Sequence, residues 1–429
     1  MKNFLKEFVN QKKVLILGFG REGKSTYKRL QEVGTYAELA ISDKNPVSVP
    51  DGRDVLCICG ETYLDVLDEY DIVFKSPGIM LPKRGDEYAC KIISQTEVFL
   101  KCYSKQTVGI TGTKGKSTTS SLLYHVLKNS GRDCILAGNI GIPVFDIVDD
   151  ISKETVIVLE MSCHQLEYIE TAPATAAFLN LYEDHLDYYG TFERYANAKK
   201  NIYRRQKEED IVFCNPEFQP EANECVSRVC CVSAEELPER AAQETKLRGK
   251  HNCFNIAVVY KICKHLGLTD EEIIGTLSSF APLAHRLEYI GRVNGAEYFD
   301  DSISTTVEST ISAITSIENA GTVLIGGMDR GIEYSGLIAF LQTCQLDEII
   351  FMYASGKRIY DEIQSSESKN VFSPKCTYVP DLQAAVDYAK KATKEGKACI
   401  LSPAAASYGY FKNFEERGDV FRKFVFEEQ

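Results

Sequence analysis

Short apolar runs alternate with amphipathic or turn-rich stretches along the whole chain, the rhythm of parallel strands joined by helices. Val14-Leu15-Ile16-Leu17 is the first run, followed by Gly18-Phe19-Gly20-Arg21-Glu22-Gly23 and an amphipathic stretch through Leu30. That order predicts strand, glycine turn and helix. Runs at Ala40 to Ser42, Val55 to Ile58 and Asp71 to Phe74 extend the pattern, so a Rossmann-like domain is expected over residues 1–105. A second alternation begins at Val108-Gly109-Ile110, with strands expected at Val156 to Leu159, Ala176 to Leu179 and Ile211 to Cys214. Helices should run from about Asn252 to Leu266 and, beyond a break and N-cap at Gly267-Leu268-Thr269-Asp270, to about Phe280. This central domain is expected over residues 106–283, ending in the linker Ala281-Pro282-Leu283, a candidate hinge for closure on substrate. Strands at Glu297 to Phe299, Val323 to Ile325, Glu348 to Phe351 and Ala398 to Leu401, with a helix from Leu382 to Thr393, predict a third α/β domain over residues 284–429. The fold class read from the pattern is α/β in three domains, without an internal repeat.

At 429 residues the chain can bury a full core in each domain, and 44% hydrophobic with 26% charged residues is ordinary globular usage. Its 49 basic against 61 acidic residues, net −12, provide no field to gather a polyanion, which argues against nucleic acid and anionic membrane surfaces. Lys2, Lys6, Glu7, Lys12 and Lys13 interrupt the apolar residues at the start, and no uncharged run approaches a membrane span. A cytoplasmic monomer is expected. The fifteen cysteines are odd in number, and spacings such as Cys57/Cys59 and Cys230/Cys231 match no zinc or redox pattern. They read as reduced, mostly buried small hydrophobes.

Two glycine-rich loops carry the chemistry. Gly18 to Gly23 fits G-x-G-x-x-G, and Asp43 lies near the position where a dinucleotide fold places its acidic residue. Alone it is a weak signal, with a tight turn that binds nothing as the plainer but less favoured alternative. Thr111-Gly112-Thr113-Lys114-Gly115-Lys116-Ser117-Thr118 is stronger. Between a strand and a helix, Gly-Lys-Ser places amides around a β-phosphate, an ammonium on the β/γ oxygens and a hydroxyl on Mg²⁺. The loop departs from a strict Walker A pattern, which has Gly where this chain has Ile110. ATP is the expected ligand of Gly112 through Thr118. Glu160 ends one apolar run, and the acids and His185 of Asn180 to Asp187 follow another, so both emerge where open α/β sheets bind ligands. Together they suggest a metal site, although separately a surface glutamate and a structural histidine are the plainer readings.

These segments resemble the Mur ligases of peptidoglycan synthesis. The resemblance rests on Thr111 to Ser117, Glu160-Met161-Ser162, Asn180 to Asp187, Tyr195-Ala196-Asn197-Ala198-Lys199, His251-Asn252-Cys253-Phe254-Asn255 and His285-Arg286-Leu287-Glu288. Leu401 to Ser407 with Phe411 to Gly418 narrow it to the branch that joins glutamate to UDP-N-acetylmuramoyl-L-alanine. The resemblance runs in order over nearly the whole chain. It implies a UDP-sugar domain, a central ATPase domain and a C-terminal Rossmann-like amino-acid domain, with amide formation through an acyl phosphate. It also implies roles for single residues. Lys116, His185 and Lys199 would be catalytic; Ser117, Glu160, His185 and Lys199, if carbamylated, would hold Mg²⁺. Asn255, Arg286 and Asp301 would join the phosphate loop in binding ATP. Gly18, Gly20, Arg21, Glu22, Gly23, Asp43, Lys44, Ser76, Asn139 and His185 would hold the UDP-substrate. Arg330, Ser407, Tyr408 and Phe414 would hold glutamate, Arg330 as a bidentate carboxylate partner. From the residues alone, Lys199 reads as a solvated helix lysine, Arg286 as a surface ion pair and Phe414 as core packing.

The chain departs from the family pattern Asn-Asp-Ser-Lys-Ala/Ser-Thr-Asn at Asp300-Asp301-Ser302-Ile303-Ser304-Thr305-Thr306, where Ile303 replaces a lysine. Tyr408 also stands where a smaller aliphatic residue is common. Both changes bear on the amino acid, leaving L-glutamate open beside D-glutamate. A folylpolyglutamate synthase shares the acyl-phosphate chemistry but lacks a UDP-binding first domain. A nucleotide-dependent oxidoreductase explains neither Lys116 nor the acidic strand ends, and a non-catalytic UDP-sugar binder would have no use for them.

Overall fold

The computed structural model describes residues 1–49, 52, 55–247, 249–281, 283–365 and 373–427. Three sheets organise the chain. The first contains β1 (Lys13–Leu17), β2 (Glu38–Asp43), β3 (Leu56–Cys59), β4 (Ile72–Lys75) and β5 (Lys91–Ile93), all parallel in the order β3-β2-β1-β4-β5. The second contains β6 (Thr107–Thr111), β7 (Cys134–Gly138), β8 (Val156–Glu160), β9 (Thr175–Phe178), β10 (Ile211–Cys214) and β11 (Arg228–Cys231), parallel in the order β11-β10-β9-β6-β8-β7. The third contains β12 (Glu288–Val293), β13 (Ala296–Asp300), β14 (Ala320–Ile325), β15 (Glu348–Met352), β16 (Lys375–Val379) and β17 (Ala398–Leu401), in the order β12-β13-β17-β14-β15-β16. Its one antiparallel pair is the edge hairpin β12/β13.

Each apolar run read from the sequence overlaps one of these strands, because parallel strands covered on both faces are apolar at nearly every position. β6, β9, β10 and β15 are buried throughout. The expected break before the helix Asp270–Leu277 is a capping box: the Thr269 hydroxyl accepts from the Glu272 amide, and the Glu272 carboxylate accepts from the Thr269 amide.

Two compact units result. Residues 1–246 with 251–280 carry the first two sheets, and residues 247–250 with 281–429 carry the third. In the first unit one apolar core runs from Ile16 and Phe74 through Phe99 and Phe145 to Leu159 and Phe178. Pro282, in the expected hinge, lies outside the described residues.

The cysteine expectation needs correction. All fifteen are free, but six are buried, seven half-buried and two exposed. Cys57 and Cys59 fall on β3, Cys230 and Cys231 on β11, and Cys376 on β16, each an edge strand with one side uncovered. Among the described residues no helix is long and apolar enough to cross a membrane.

Candidate active site

In the first sheet the strand order turns back at β1 and β4, the position where open α/β sheets form a ligand crevice. Gly18 follows β1 and Ser76 follows β4. Gly18 has φ +88°, and a Cβ there would lie 2.6 Å from Ile79 Cδ1; one on Gly23 would lie 2.0 Å from the Gly18 carbonyl. The glycines are therefore required by the turn itself. Asp43 Oδ2 accepts the Phe19 amide at 2.7 Å, and the Ser76 hydroxyl donates to the Gly18 carbonyl at 2.9 Å. Both shape the turn. Gly20 caps the helix Arg21–Val33, while Lys44 is exposed, 3.7 Å from Glu61.

Arg21, Glu22 and Pro77 meet Gly138, Asn139 and Ser162 around a pocket of about 210 Å³. Arg21 Nη1 donates to the Gly141 carbonyl at 2.9 Å, and Asn139 Nδ2 donates to Glu160 Oε1 at 2.7 Å. Gln165 donates to Glu22 Oε1 at 2.7 Å, but Glu22 Oε2 is buried without a hydrogen-bond partner among the described residues. Burial raises the Glu22 pKa. Of the expected UDP-substrate residues, the structure brings Arg21, Glu22 and Asn139 to one pocket and leaves Asp43, Lys44 and Ser76 outside its lining.

The phosphate loop leads from β6 into the helix Lys116–Asn129, with Gly115 as its N-cap at φ 83°. A Cβ on Gly115 would lie 2.8 Å from Asn255 Oδ1, so buried Asn255 packs directly against the loop. Asn180 brackets it from β9's end, accepting the Lys114 amide at 2.8 Å and donating to the Lys114 carbonyl at 3.1 Å. The Thr113 hydroxyl is 2.9 Å from the Tyr195 hydroxyl and accepts the Tyr182 amide at 2.9 Å. Lys116 Nζ donates to the carbonyls of Gly112 and Thr113, both at 2.9 Å. Ser117 is buried and Thr118 half-buried on the first turn.

Lys199 is the sharpest correction to a residue-by-residue reading. It is 2% exposed on the helix Phe192–Arg204 and donates to the Gly112 carbonyl at 2.8 Å, with its Nζ 5.1 Å above the Tyr195 ring. A solvated lysine is excluded. Burial, and secondarily the charge of Lys116, pushes it down to about 7; burial also lowers Lys116, against the pull of Glu160. Glu160 is equally far from a surface glutamate: it is 1% exposed, and its Oε2 has no hydrogen-bond partner among the described residues. His185 is half-exposed in the left-handed region at φ 53° and caps the helix Leu186–Tyr189. Its ring packs edge-on against His164 at 5.1 Å. Sequence reasoning passed over Asn180 as a loop clamp and Lys75 altogether; the available signal was a polar residue at the carboxyl end of an apolar strand.

In the second unit the chain runs outward through β14, β15 and β16 and returns by β17 between β13 and β14. The neighbouring carboxyl ends of β13, β17 and β14 thus present Asp300-Asp301, Ser402 to Ser407 and Gly326 to Arg330, the last two loops joined by a bridge between Met328 and Ala406. Arg330 is exposed and makes no ion pair among the described residues, whereas Arg358 holds neighbouring Asp329 at 2.7 and 2.9 Å. Ser407 is buried, its carbonyl accepting the Phe411 amide at 3.0 Å, and Tyr408 is 56% exposed. Phe414 is half-buried at the start of the helix Phe414–Phe426, with its ring 6.3 Å from His285. Asp301 accepts from the Ser402 hydroxyl at 2.8 Å and the Leu287 amide at 3.1 Å, and burial pushes it up to about 7. Arg286 is exposed and Ile303 half-buried. The nearby cation is Arg417, wholly buried, which donates to the Ser302 hydroxyl and carbonyl at 3.0 and 2.7 Å and to the Ala405 carbonyl at 3.0 Å.

Among the described residues, His285, Glu288 and Asp300 form the one group of three metal-capable side chains within 4.8 Å. Their atoms are already engaged. His285 Nδ1 is 2.7 Å from Asp300 Oδ2, and Glu288 accepts the His285 amide at 3.1 Å and Arg422 at 2.7 Å. A Cβ on Gly418 would lie 2.1 Å from His285 Nδ1, so this glycine admits the pair. The hydrogen bond to Asp300 raises the His285 pKa against the effect of burial, and Asp419 and Glu288 add to the rise. The proton is therefore held more tightly in the folded state. The pair's stabilisation is fully present below the unfolded histidine pKa and is lost as pH rises through the folded value. Melting temperatures of the parent protein and Asp300→Asn should accordingly differ most near about pH 6 and converge towards about pH 9. A constant difference across that range would contradict the assignment.

A parallel five-stranded sheet with a glycine turn, and a second sheet with a lysine-bearing phosphate loop and a buried acidic strand end, define a nucleotide-dependent α/β enzyme. Comparison with known proteins makes the class specific. Residues 110–265 match the Mur ligase middle domain. A UDP-N-acetylmuramoylalanine–D-glutamate ligase of Geobacillus kaustophilus is 31% identical, covering 96% of this chain and 97% of the relative; one of Bacillus thuringiensis (strain Al Hakam) is 31% identical, covering 97% of each. The chain belongs to the Mur ligase family. Among solved structures, MurF from Thermotoga maritima, crystallised with ADP, superposes with a TM-score of 0.57 at 18% identity, covering 99% of both chains. MurF from Acinetobacter baumannii gives 0.60 at 13% identity, over 98% of this chain and 92% of that one. These two share the α/β fold of this chain.

Proposed function

We propose that this chain is the ATP-dependent ligase that joins D-glutamate to the alanyl carboxylate of UDP-N-acetylmuramoyl-L-alanine in peptidoglycan precursor synthesis. The observation that carries the reading is the meeting of two lysines, half-buried Lys116 and buried Lys199, on the Gly112 carbonyl, in the same loop-and-strand-end site as the buried carboxylate of Glu160. The identity of the substrates is supported by the full-length likeness to D-glutamate ligases. Residues 1–105 would hold the UDP-sugar, 106–283 ATP and 284–429 glutamate, in a cytoplasmic monomer.

A carboxylate is a poor electrophile until one of its oxygens becomes a leaving group. Its oxygen attacks the γ-phosphorus of ATP, an O–P bond forms and ADP departs. The glutamate amine then attacks the acyl carbon, and the tetrahedral adduct expels phosphate and loses the amine proton to give the amide. Lys116 would exchange its two loop carbonyls for the β/γ oxygens as negative charge develops there. Arg21 and Asn139 would orient the UDP-substrate in their shared pocket, and exposed Arg330, without an ion pair among the described residues, would take a glutamate carboxylate.

The residues also fit a divalent cation. A buried carboxylate oxygen without a donor is costly unless a cation satisfies it, and Glu160 Oε2 is such an atom. Ser117, Glu160, His185 and carbamylated Lys199 would hold Mg²⁺, which when bound neutralises charge on the phosphates. Substrate labelled with heavy oxygen in its alanyl carboxylate tests the acyl phosphate. One label should pass into the released phosphate; phosphate without label would contradict the mechanism.

A further inference from the structure

Lys75 ends β4 only 3% exposed, and the mechanism above gives it no task. Burial pushes it down to about 8 although Glu167 and Glu22 are near. Its Nζ donates to the carbonyls of Ser76 and Pro77, each at 3.2 Å, and to the Tyr188 hydroxyl at 3.4 Å. The Tyr188 hydroxyl in turn lies 3.0 Å from the Ile79 carbonyl and 3.1 Å from Glu167 Oε2. The loop that runs from Ser76, against Gly18, past Pro77 in the pocket wall to Ile79 is therefore tied to the helix Leu186–Tyr189, which His185 caps.

From Tyr188 the contacts continue as packed rings. The Tyr188 ring lies 4.4 Å from His164 and 4.8 Å from Tyr189, and His164 lies 5.1 Å from His185. Tyr189 is 5.6 Å from Tyr195, whose hydroxyl is 2.9 Å from Thr113 in the phosphate loop. Tyr189 and Tyr195 are 1% exposed. Close-packed rings transmit a displacement because none can move without its neighbours.

We propose that Tyr188 is a positioning residue that couples occupancy of the Ser76-to-Ile79 loop to the His185 turn and, through Tyr195, to the phosphate loop. A UDP-sugar in the pocket presses on Pro77, and the hydroxyl of Tyr188 carries that state across to the side that binds ATP. The inference rests on the proposed UDP-substrate and adds to it a coupling: the sugar nucleotide and ATP each favour the other's site. Thermodynamic linkage requires the reverse effect to be equal, so ATP tightens the sugar nucleotide by the same factor.

Calorimetry with a non-hydrolysable ATP analogue, with and without saturating UDP-N-acetylmuramoyl-L-alanine, tests this. In the parent protein the sugar nucleotide should tighten the analogue by about fivefold or more. Tyr188→Phe keeps the ring and loses the hydroxyl; it should bind the analogue alone with parental affinity but lose most of the coupling factor. Lys75→Met, which removes the ammonium held by the Ser76 and Pro77 carbonyls and keeps all the rings of the path, should act in the same direction and serves if Tyr188→Phe does not fold. A merely structural role would alter stability and leave the factor unchanged. Equal coupling in parent and variants, or no coupling in a parent that binds both ligands, would overturn the proposal. A parent protein that binds the analogue but not the sugar nucleotide would instead overturn the functional reading, and this inference with it.

Discussion

Replacing Lys116 with alanine should lower turnover by about a thousandfold or more, the scale on which phosphoryl-transfer sites depend on a single charge-stabilising group. The fold should survive. Lys116 is a half-buried cation whose protonated form is disfavoured by desolvation, and Lys199 shares its acceptor on Gly112. Removing one of two such neighbours relieves repulsion, so the melting temperature should stay the same or rise. ADP release in the full assay, measured beside thermal unfolding of the same preparation, separates the two effects. Near-normal release from a folded Lys116→Ala protein would remove the phosphate loop from the mechanism.

Lys199→Met should be nearly as damaging, for a different reason. An ammonium at this position would repel a metal ion, whereas a carbamate would supply a carboxylate beside Glu160. Carbamylation requires the neutral amine: its nitrogen attacks the carbon of CO₂, an N–C bond forms and a proton leaves. Burial pushes Lys199 down to about 7, so the amine becomes the major form as pH rises through that value. Turnover should then rise with pH on the acid limb and with added bicarbonate. Isotopically labelled bicarbonate should give a carbamate carbon signal in the parent protein that is missing in Lys199→Met. If turnover of Lys199→Met equals that of the parent, Lys199 is only a buried donor to Gly112.

Most strands visible in the sequence are covered on both faces; the exception is the edge strand β3, which has no fully buried position. Val14 to Leu17, Ile211 to Cys214 and Ala398 to Leu401 are uninterrupted apolar runs. The strands that escaped lie mainly at edges or are very short. β5 has three residues, β11 begins with an exposed arginine, and β12 and β16 are edge strands with no fully buried position. The apolar run of β7 passed unread between Asp133 and Asn139. The opening helix Lys2–Phe8 buries only Leu5, too little to impose a period. The two glycine loops were legible because the backbone itself demands glycine at Gly18, Gly23 and Gly115.

Other side chains could not be weighed before the fold was known. Lys199 reads as a solvated helix lysine until the carbonyl of Gly112, eighty-seven residues earlier, is found against it. Asp43 has the right spacing for a ribose contact, yet its carboxylate holds the Phe19 amide. Arg417 gives no sequence signal, but its guanidinium ties Ser302 to Ala405 beside Ile303, where the family pattern has a lysine. Burial and long-range hydrogen bonding decided each case, and neither is a local property of sequence.

The most direct test of the whole account is phosphate release by the purified protein with ATP, Mg²⁺ and UDP-N-acetylmuramoyl-L-alanine, comparing D-glutamate with L-glutamate and confirming the product by mass. The account predicts release that needs all components, favours D-glutamate and yields one amide per phosphate. Release that prefers L-glutamate would contradict the assigned specificity and turn attention to Ile303 and Tyr408, while silence with both amino acids would contradict the ligase itself.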